Sequence, residues 1–249
     1  MKITIIGGTG LIGRRLATRL RESGHEVIAA ARSTGVNTIS GEGLAEALEG
    51  ADVVVDASNS GYGDAADMRS FFAASSDNIS SAARAASVGH LIALSAVGAD
   101  TQKGGYFRAK RDQEERVSNA GVPFTIVRST PFFEFVYKIV DASGDGDRMP
   151  LAPVTMQPIA ADDVVAALAE VVAETPANDI IEIAGPDIFG LAELATGILT
   201  ANEDMRWISV DPEAHYFGAR FDGEPLTCTR PRLAPTRFDD WLREWIAFA

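Results

Sequence analysis

IIGGTGLIGRRLA (Ile5–Ala17) places four glycines within the seven residues from Gly7 to Gly13. Glycine inside regular structure costs about 0.5–1 kcal/mol relative to alanine, so such density needs a physical reason. The stretch follows the β-branched run KITII (Lys2–Ile6) and leads into Leu11, Ile12, Leu16 and Leu20, which recur at helical spacing and stop near Gly24. Its glycines can be written G-x-x-G-x-x-G (Gly7, Gly10, Gly13) or G-x-G-x-x-G (Gly8, Gly10, Gly13). In a strand–turn–helix context, one glycine makes the tight turn and one admits a pyrophosphate to the backbone. Gly13 then lets the helix close onto the strand. The helix start offers free N–H groups and a positive dipole end to the phosphates. The alternative is a tight turn with no ligand.

The same alternation continues outward. EVIAAA (Glu26–Ala31), ADVVVDA (Ala51–Ala57), HLIALS (His90–Ser95) and FTIVRS (Phe124–Ser129) read as buried strands. Between them, helical patterns run over Gly43–Gly50, from about Met68 to Ser87 and from about Gly105 to Ala120. This β-α order predicts an α/β, doubly wound parallel-sheet Rossmann fold. After Pro131 the rhythm loosens into a loop-rich stretch with short strands. Ala161–Glu174 and Leu191–Ala201 then read as helices and Asp179–Ala184 as a strand. Phe238, Trp241, Leu242, Trp245 and Ile246 form a closing helical stripe. The expectation is one NAD(P)-binding domain over 1–249. A dinucleotide-binding core covers about 1–130, and about 131–249 holds the remaining sheet elements and a small C-terminal substrate lobe.

Bulk properties narrow the function classes. The 249 residues are 46% hydrophobic and 23% charged, with a formal net charge of −13. That balance argues against nucleic acid or an anionic membrane surface as partner, since both require a basic footprint. One cysteine excludes an intramolecular disulfide framework. No His–carboxylate grouping has metal-ligand spacing, so no metal is expected. Asp162 and Asp163 precede VVAALAEVV and read as carboxylates favoured by a helix dipole. With no leader and no apolar run of roughly 18–20 residues, a cytoplasmic monomer or homodimer acting on a small molecule is expected.

Two constellations suggest chemistry. At the end of the second strand, where an NAD site usually carries Asp or Glu for the ribose 2′-hydroxyl, the sequence reads Arg32-Ser33-Thr34. An arginine with neighbouring hydroxyls suits a 2′-phosphate, so NADP(H) is preferred and NAD(H) is the alternative; Arg14 or Arg15 could add charge. Further on, Ser95 ends the fourth strand, while Tyr106 and Lys110 lie four apart on one helix face. A lysine one turn from a tyrosine would favour the phenolate, and Ser95 could hydrogen-bond a carbonyl. A solvated Tyr–Lys pair and a serine that merely ends a strand are the plain alternatives.

Together with the glycine turn, ADVVVDAS, LSAVGAD, YFRAK, GVPFTIVRSTPFFEF and QPIAADDVV, the chain resembles the short-chain dehydrogenase/reductase superfamily over roughly residues 1–175. It is more closely similar to the atypical NmrA-like and quinone-reductase-like branch. The resemblance implies reduction of a small carbonyl or quinone by hydride transfer, with Ser95, Tyr106 and Lys110 catalytic and Tyr106 the proton donor. It implies cofactor contacts from Gly7, Thr9, Gly10, Leu11, Ile12 and Gly13, and from Arg32, Ser33, Ala57, Ser58 and Lys110. Thr130, Pro131 and Phe132 would meet the nicotinamide half, and Phe133 and His215 are candidates for the substrate pocket. Ser95 and Tyr106 are closer in sequence than is usual in the superfamily. Many members of this branch lack the Tyr–Lys pair, so a non-catalytic NADP(H)-binding redox regulator is the second expectation. A sugar-nucleotide epimerase or dehydratase is the third.

Overall fold

The computed structural model describes residues 1–142, 146–217 and 219–248. The first half alternates strictly: β1 (Lys2–Ile6), α1 (Leu11–Glu22), β2 (Glu26–Ala30), α2 (Leu44–Leu48), β3 (Val53–Asp56), α3 (Ala65–Ala85), β4 (His90–Ala96), α4 (Gly105–Ser118) and β5 (Phe124–Ser129). A short 3-10 turn, Arg32–Thr34, follows β2. Next come α5 (Phe133–Ala142), β6 (Arg148–Leu151), β7 (Thr155–Met156), α6 (Ala161–Ala173), β8 (Asp179–Ala184), β9 (Phe189–Gly190) and α7 (Leu191–Ala201). The chain closes with β10 (Trp207–Val210), β11 (His215–Tyr216), β12 (Ala219–Arg220), β13 (Arg232–Leu233) and α8 (Phe238–Phe248).

Seven strands form one parallel sheet in the order β13-β8-β5-β4-β3-β1-β2. β1, β3 and β4 are buried almost throughout because helices cover both faces. Along β1 the pleat sends Ile3 and Ile5 toward α1 and α6, where they meet Leu16, Leu20, Val164 and Leu168. Ile6 joins the opposite layer with Leu44, Leu48, Ile79 and Val117. The chain leaves β1 for β2 on one side and returns to β3 on the other. This reversal opens a crevice at the carboxyl ends of β1 and β3. A third apolar cluster lies beyond the sheet, with Phe133, Val136, Met149, Leu194, Ile198, Tyr216, Phe238 and Trp241 among its members.

Some elements differ from the sequence expectation. Phe133–Ala142, for which the sequence offers no element, is helical; the loop-rich reading covers 143–158, of which 143–145 lie outside the described residues. The aromatic and β-branched residues of this helix are weak helix formers, but burying Phe133, Val136 and Val140 on one face outweighs that preference. α3 begins at Ala65, because the Asp64 carboxylate caps it by accepting from the Ala66 and Asp67 N–H groups. His90 opens β4, as the strand reading of His90–Ser95 expects, and is buried with Nε2 2.8 Å from Thr125 Oγ1. Among the described residues no helix is long and apolar enough to cross a membrane.

Candidate functional site

The glycine turn has two physical causes. Gly7 has φ +74°, and a Cβ there would stand 2.8 Å from the Ala57 carbonyl oxygen at the end of β3. A Cβ on Gly8 would come within 2.6 Å of Ala29 Cα, and one on Gly13 within 2.2 Å of the Gly7 oxygen. Close packing of the chain on itself therefore accounts for Gly7, Gly8 and Gly13. Gly10 is different. It is the N-cap of α1, makes no side-chain cap and faces a cavity, and the helix carries no acidic residue in its first turn. The N-terminus of α1 thus presents uncapped N–H groups and the positive end of its dipole to that cavity.

The cavity, about 550 Å³, lies along the carboxyl ends of the parallel strands and falls within the usual range for small-molecule sites. Gly7, Thr9, Gly10, Leu11 and Ile12 line it beside Arg32, Ala57 and Ser58. Ser95, Tyr106, Lys110, Thr130, Pro131 and Phe132 line the same space. Gly13 lies behind the turn as the packing residue, and Ser33 is not among the lining residues. Phe133 is turned into the core against Phe238 and Trp241, and His215 lies exposed on β11, so neither lines the cavity. Arg14 and Arg15 lie outside it too. Arg15 pairs with Asp162 at 2.9 Å and Glu134 at 3.6 Å. Sequence reasoning missed Thr38, Glu134 and Lys138 as lining residues. Phe135 is one of the aromatics of the run 132–137, which reads equally as pocket wall for a flat substrate or as core. It lines the cavity, and the unforeseen Tyr62 and Phe217 complete an aromatic wall with it.

The residues fit a nicotinamide dinucleotide on two observations. Arg32, Lys110 and Lys138 face the cavity against one carboxylate, Glu134, in a chain of net charge −13. Thr130 Oγ1 is buried in the wall with no hydrogen-bond partner, a group that a polar ligand atom would satisfy. Glu134 is itself anchored: it accepts from the Ala161 N–H at 3.1 Å and from Trp241 Nε1 at 3.3 Å. Burial raises its pKa, with those hydrogen bonds and Arg15 opposing the rise.

The Ser–Tyr–Lys group sits in a buried polar network. Ser95 Oγ donates to Glu114 Oε1 at 2.6 Å, and Glu114 also receives Arg128 Nε and Nη2 at 2.8 and 2.7 Å. Lys110 Nζ donates to the Leu94 carbonyl at 2.9 Å and Gln113 Oε1 at 3.0 Å, and stands 4.3 Å from the Phe72 ring centroid. Gln113 Nε2 donates to Asp56 Oδ2 at 2.9 Å, and Asp56 Oδ1 receives the Ser58 hydroxyl at 2.6 Å. Burial lowers the Lys110 pKa to about 8, with Asp56 and Glu114 resisting the fall. Burial drives the Tyr106 phenol well above its ordinary value, and the Tyr62 and Tyr216 phenols push it further. The sequence spacing suggested an acidified phenol. With the Tyr106 ring buried, desolvation dominates instead, and the phenol keeps its proton.

A family model described as NAD(P)H-binding matches residues 7–175. The (4-alkanoyl-5-oxo-2,5-dihydrofuran-3-yl)methyl phosphate reductase of Streptomyces griseus subsp. griseus is 32% identical over 144 residues, covering 52% of this chain. The matched stretch spans about half of that relative, 48% of its length. Among solved structures, MoeE5 with UDP-glucuronic acid and NAD superimposes with a TM-score of 0.78 at 14% identity, covering 100% of this chain and 98% of that one. The dTDP-glucose 4,6-dehydratase DesIV from Streptomyces venezuelae, solved with NAD and TYD, gives 0.76 at 17% identity, covering 100% and 96%. These two likenesses show the Rossmann-type fold. With the glycine turn, the uncapped helix and the matching family model in agreement, the chain belongs to the NAD(P)H-binding family.

Proposed function

We propose that the protein is an NADP(H)-dependent oxidoreductase that reduces a small carbonyl or quinone, with Tyr106 as proton donor. The observation that carries this reading is that Tyr106 and Lys110 line the same cavity as the α1 N-terminus and Arg32. The curated relative being a reductase supports the same class. The uncapped N–H groups of α1 would hold the pyrophosphate, Arg32 a 2′-phosphate, and Ser58 and Lys110 the ribose hydroxyls. Thr130, Pro131 and Phe132 would face the nicotinamide. When bound, NADPH supplies the reducing equivalents for the acceptor carbon. The raised pKa of Tyr106 keeps its proton in place at neutral pH, as a donor to a developing alkoxide or hydroquinone oxygen requires. Lys110 uses two donors on Leu94 and Gln113, leaving the third for the ligand side. Ser95 has one hydroxyl proton, and it is engaged in the hydrogen bond donated to Glu114. In this arrangement Ser95 accepts hydrogen bonds and does not polarise a carbonyl by donation.

That commitment of Ser95, with the burial of Tyr106, favours a second reading: a redox regulator that binds NADP(H) without turnover. NADPH titration by fluorescence, followed by NADPH oxidation with quinones and aldehydes, separates the two. Micromolar-range binding with turnover on at least one acceptor is the expected result. Binding without turnover on any acceptor would leave the regulator.

A further inference from the structure

The cavity wall contains three rings stacked face to face. Phe217 lies between Tyr106, at 4.8 Å and 12°, and Phe135, at 4.5 Å and 5°, with Tyr62 4.7 Å from both Phe217 and Phe135. The outer rings come from the helices α4 and α5. The middle ring comes from the segment joining the two-residue strands β11 and β12, which pair through His215↔Arg220 and Tyr216↔Ala219. Tyr106 and Phe135 thus bound a slot one ring thick, and a side chain from a distant part of the chain fills it. Phe217 reaches that position with φ +52°. A bulky residue is seldom found in this left-handed region, and such outliers concentrate at ligand clamps and switches.

The hairpin is anchored around its tip. Tyr216 is buried in the lobe core and packs edge-on against Phe217 at 4.5 Å. Downstream, Asp222 Oδ2 accepts from the Lys103 N–H at 2.6 Å, and the Glu224 carbonyl accepts from Gln102 Nε2 at 2.7 Å. The segment is tied to the loop before α4 while its tip aromatic inserts between two helices. Because stacking rewards any planar π-system, the slot accepts a flat conjugated ring and excludes a puckered saturated one.

We propose that Phe217 is an internal occupant of the Tyr106–Phe135 slot, and that the substrate is a planar conjugated ring that binds by replacing it. This rests on reading Tyr106 as the substrate-facing acid. Phe217 is then a specificity-determining residue. Its departure exposes the ring face of Tyr106 to the substrate.

The test uses the full chain loaded with NADP+, and 2-naphthol as a planar probe beside decahydro-2-naphthol as its saturated counterpart. Calorimetry should show 2-naphthol binding about tenfold more tightly than the saturated compound, the scale of two ring-stacking contacts. Hydrogen–deuterium exchange of the peptide spanning His215–Arg220 should rise when 2-naphthol binds, as Phe217 leaves the slot. Phe217→Ala should tighten 2-naphthol by about tenfold, because no internal ring competes; Phe217→Leu should shift affinity the same way if the alanine variant fails to fold. Unchanged or weaker 2-naphthol binding in a folded variant, or exchange that falls on binding, overturns the proposal, since Phe217 is then a fixed wall. Ring binding with rising exchange but no turnover on any acceptor would remove the reductase reading and leave the displacement intact. Quinone turnover with exchange unchanged at His215–Arg220 would do the reverse.

Discussion

At the scale of single residues, the site is set by where protons are held. Tyr106→Phe removes the proposed donor and should lower kcat by about 10²–10⁴-fold, the usual contribution of a positioned acid. Ser95→Ala should cost far less, under about tenfold, because the serine hydroxyl already donates its hydrogen bond to Glu114; steady-state kinetics on one acceptor compares the two. Lys110 titrates near pH 8, so its cation is present below that value and lost above it. NADPH affinity should therefore weaken as pH rises through about 8, and the wild-type midpoint should vanish in Lys110→Met. Gln113 is a positioning residue, holding Nζ with one end of its amide and Asp56 with the other. Gln113→Glu should move that midpoint upward, since a carboxylate favours the ammonium. Arg32→Ala should weaken NADPH by about 10–100-fold and leave NADH nearly unchanged, the scale of a charge-assisted hydrogen bond. Tyr106 and Lys110 were visible in the sequence as a pair. The carboxylates and amide behind them were not, because Asp56, Gln113, Glu114 and Arg128 meet only once α4 lies across the sheet and links β3 to β5.

At the scale of elements, α1 and α5 make opposite cases. The start of α1 was legible because local geometry demands its glycines: a side chain at Gly13 would collide with backbone, which cannot rotate away. Gly13→Ala should destabilise the fold by about 1–3 kcal/mol or more, read by chemical denaturation. α5 was not legible, since its residues favour strands and its helical character depends on a core assembled from α7 and α8. Phe133 was expected at the substrate and instead fills that core, with 1% of its surface exposed. Its neighbour Phe135 occupies the cavity wall, two positions along the helix and on another face. Reading an aromatic cluster before its helix is known leaves the inward and outward rings indistinguishable.

For the whole molecule, sheet order decides where chemistry is possible. The reversal at β1 gathers residues from Ile6 to Phe217 around one cavity, so ligand binding couples the sheet to the lobe. A ligand that binds only the folded chain stabilises it by about 2.7 kcal/mol at a hundred times its dissociation constant. NADPH at that level should raise Tm by roughly 5–10 °C for a chain of this size, measured by calorimetry. The parallel core was readable because β1, β3, β4 and β5, buried almost throughout, are largely apolar runs. The lobe was not, because its strands, two to four residues long, are too short to carry a periodicity of their own.

Trp241 has an optical consequence. Its indole N–H reaches the cavity-lining Glu134, and its ring stacks on Trp245 at 5.3 Å. Indole emission overlaps the absorption of reduced nicotinamide and not that of the oxidised form. A chromophore pair one residue behind the cavity wall should therefore transfer excitation to NADPH and not to NADP+. The protein would then report the redox state of its own ligand in its fluorescence, without any label.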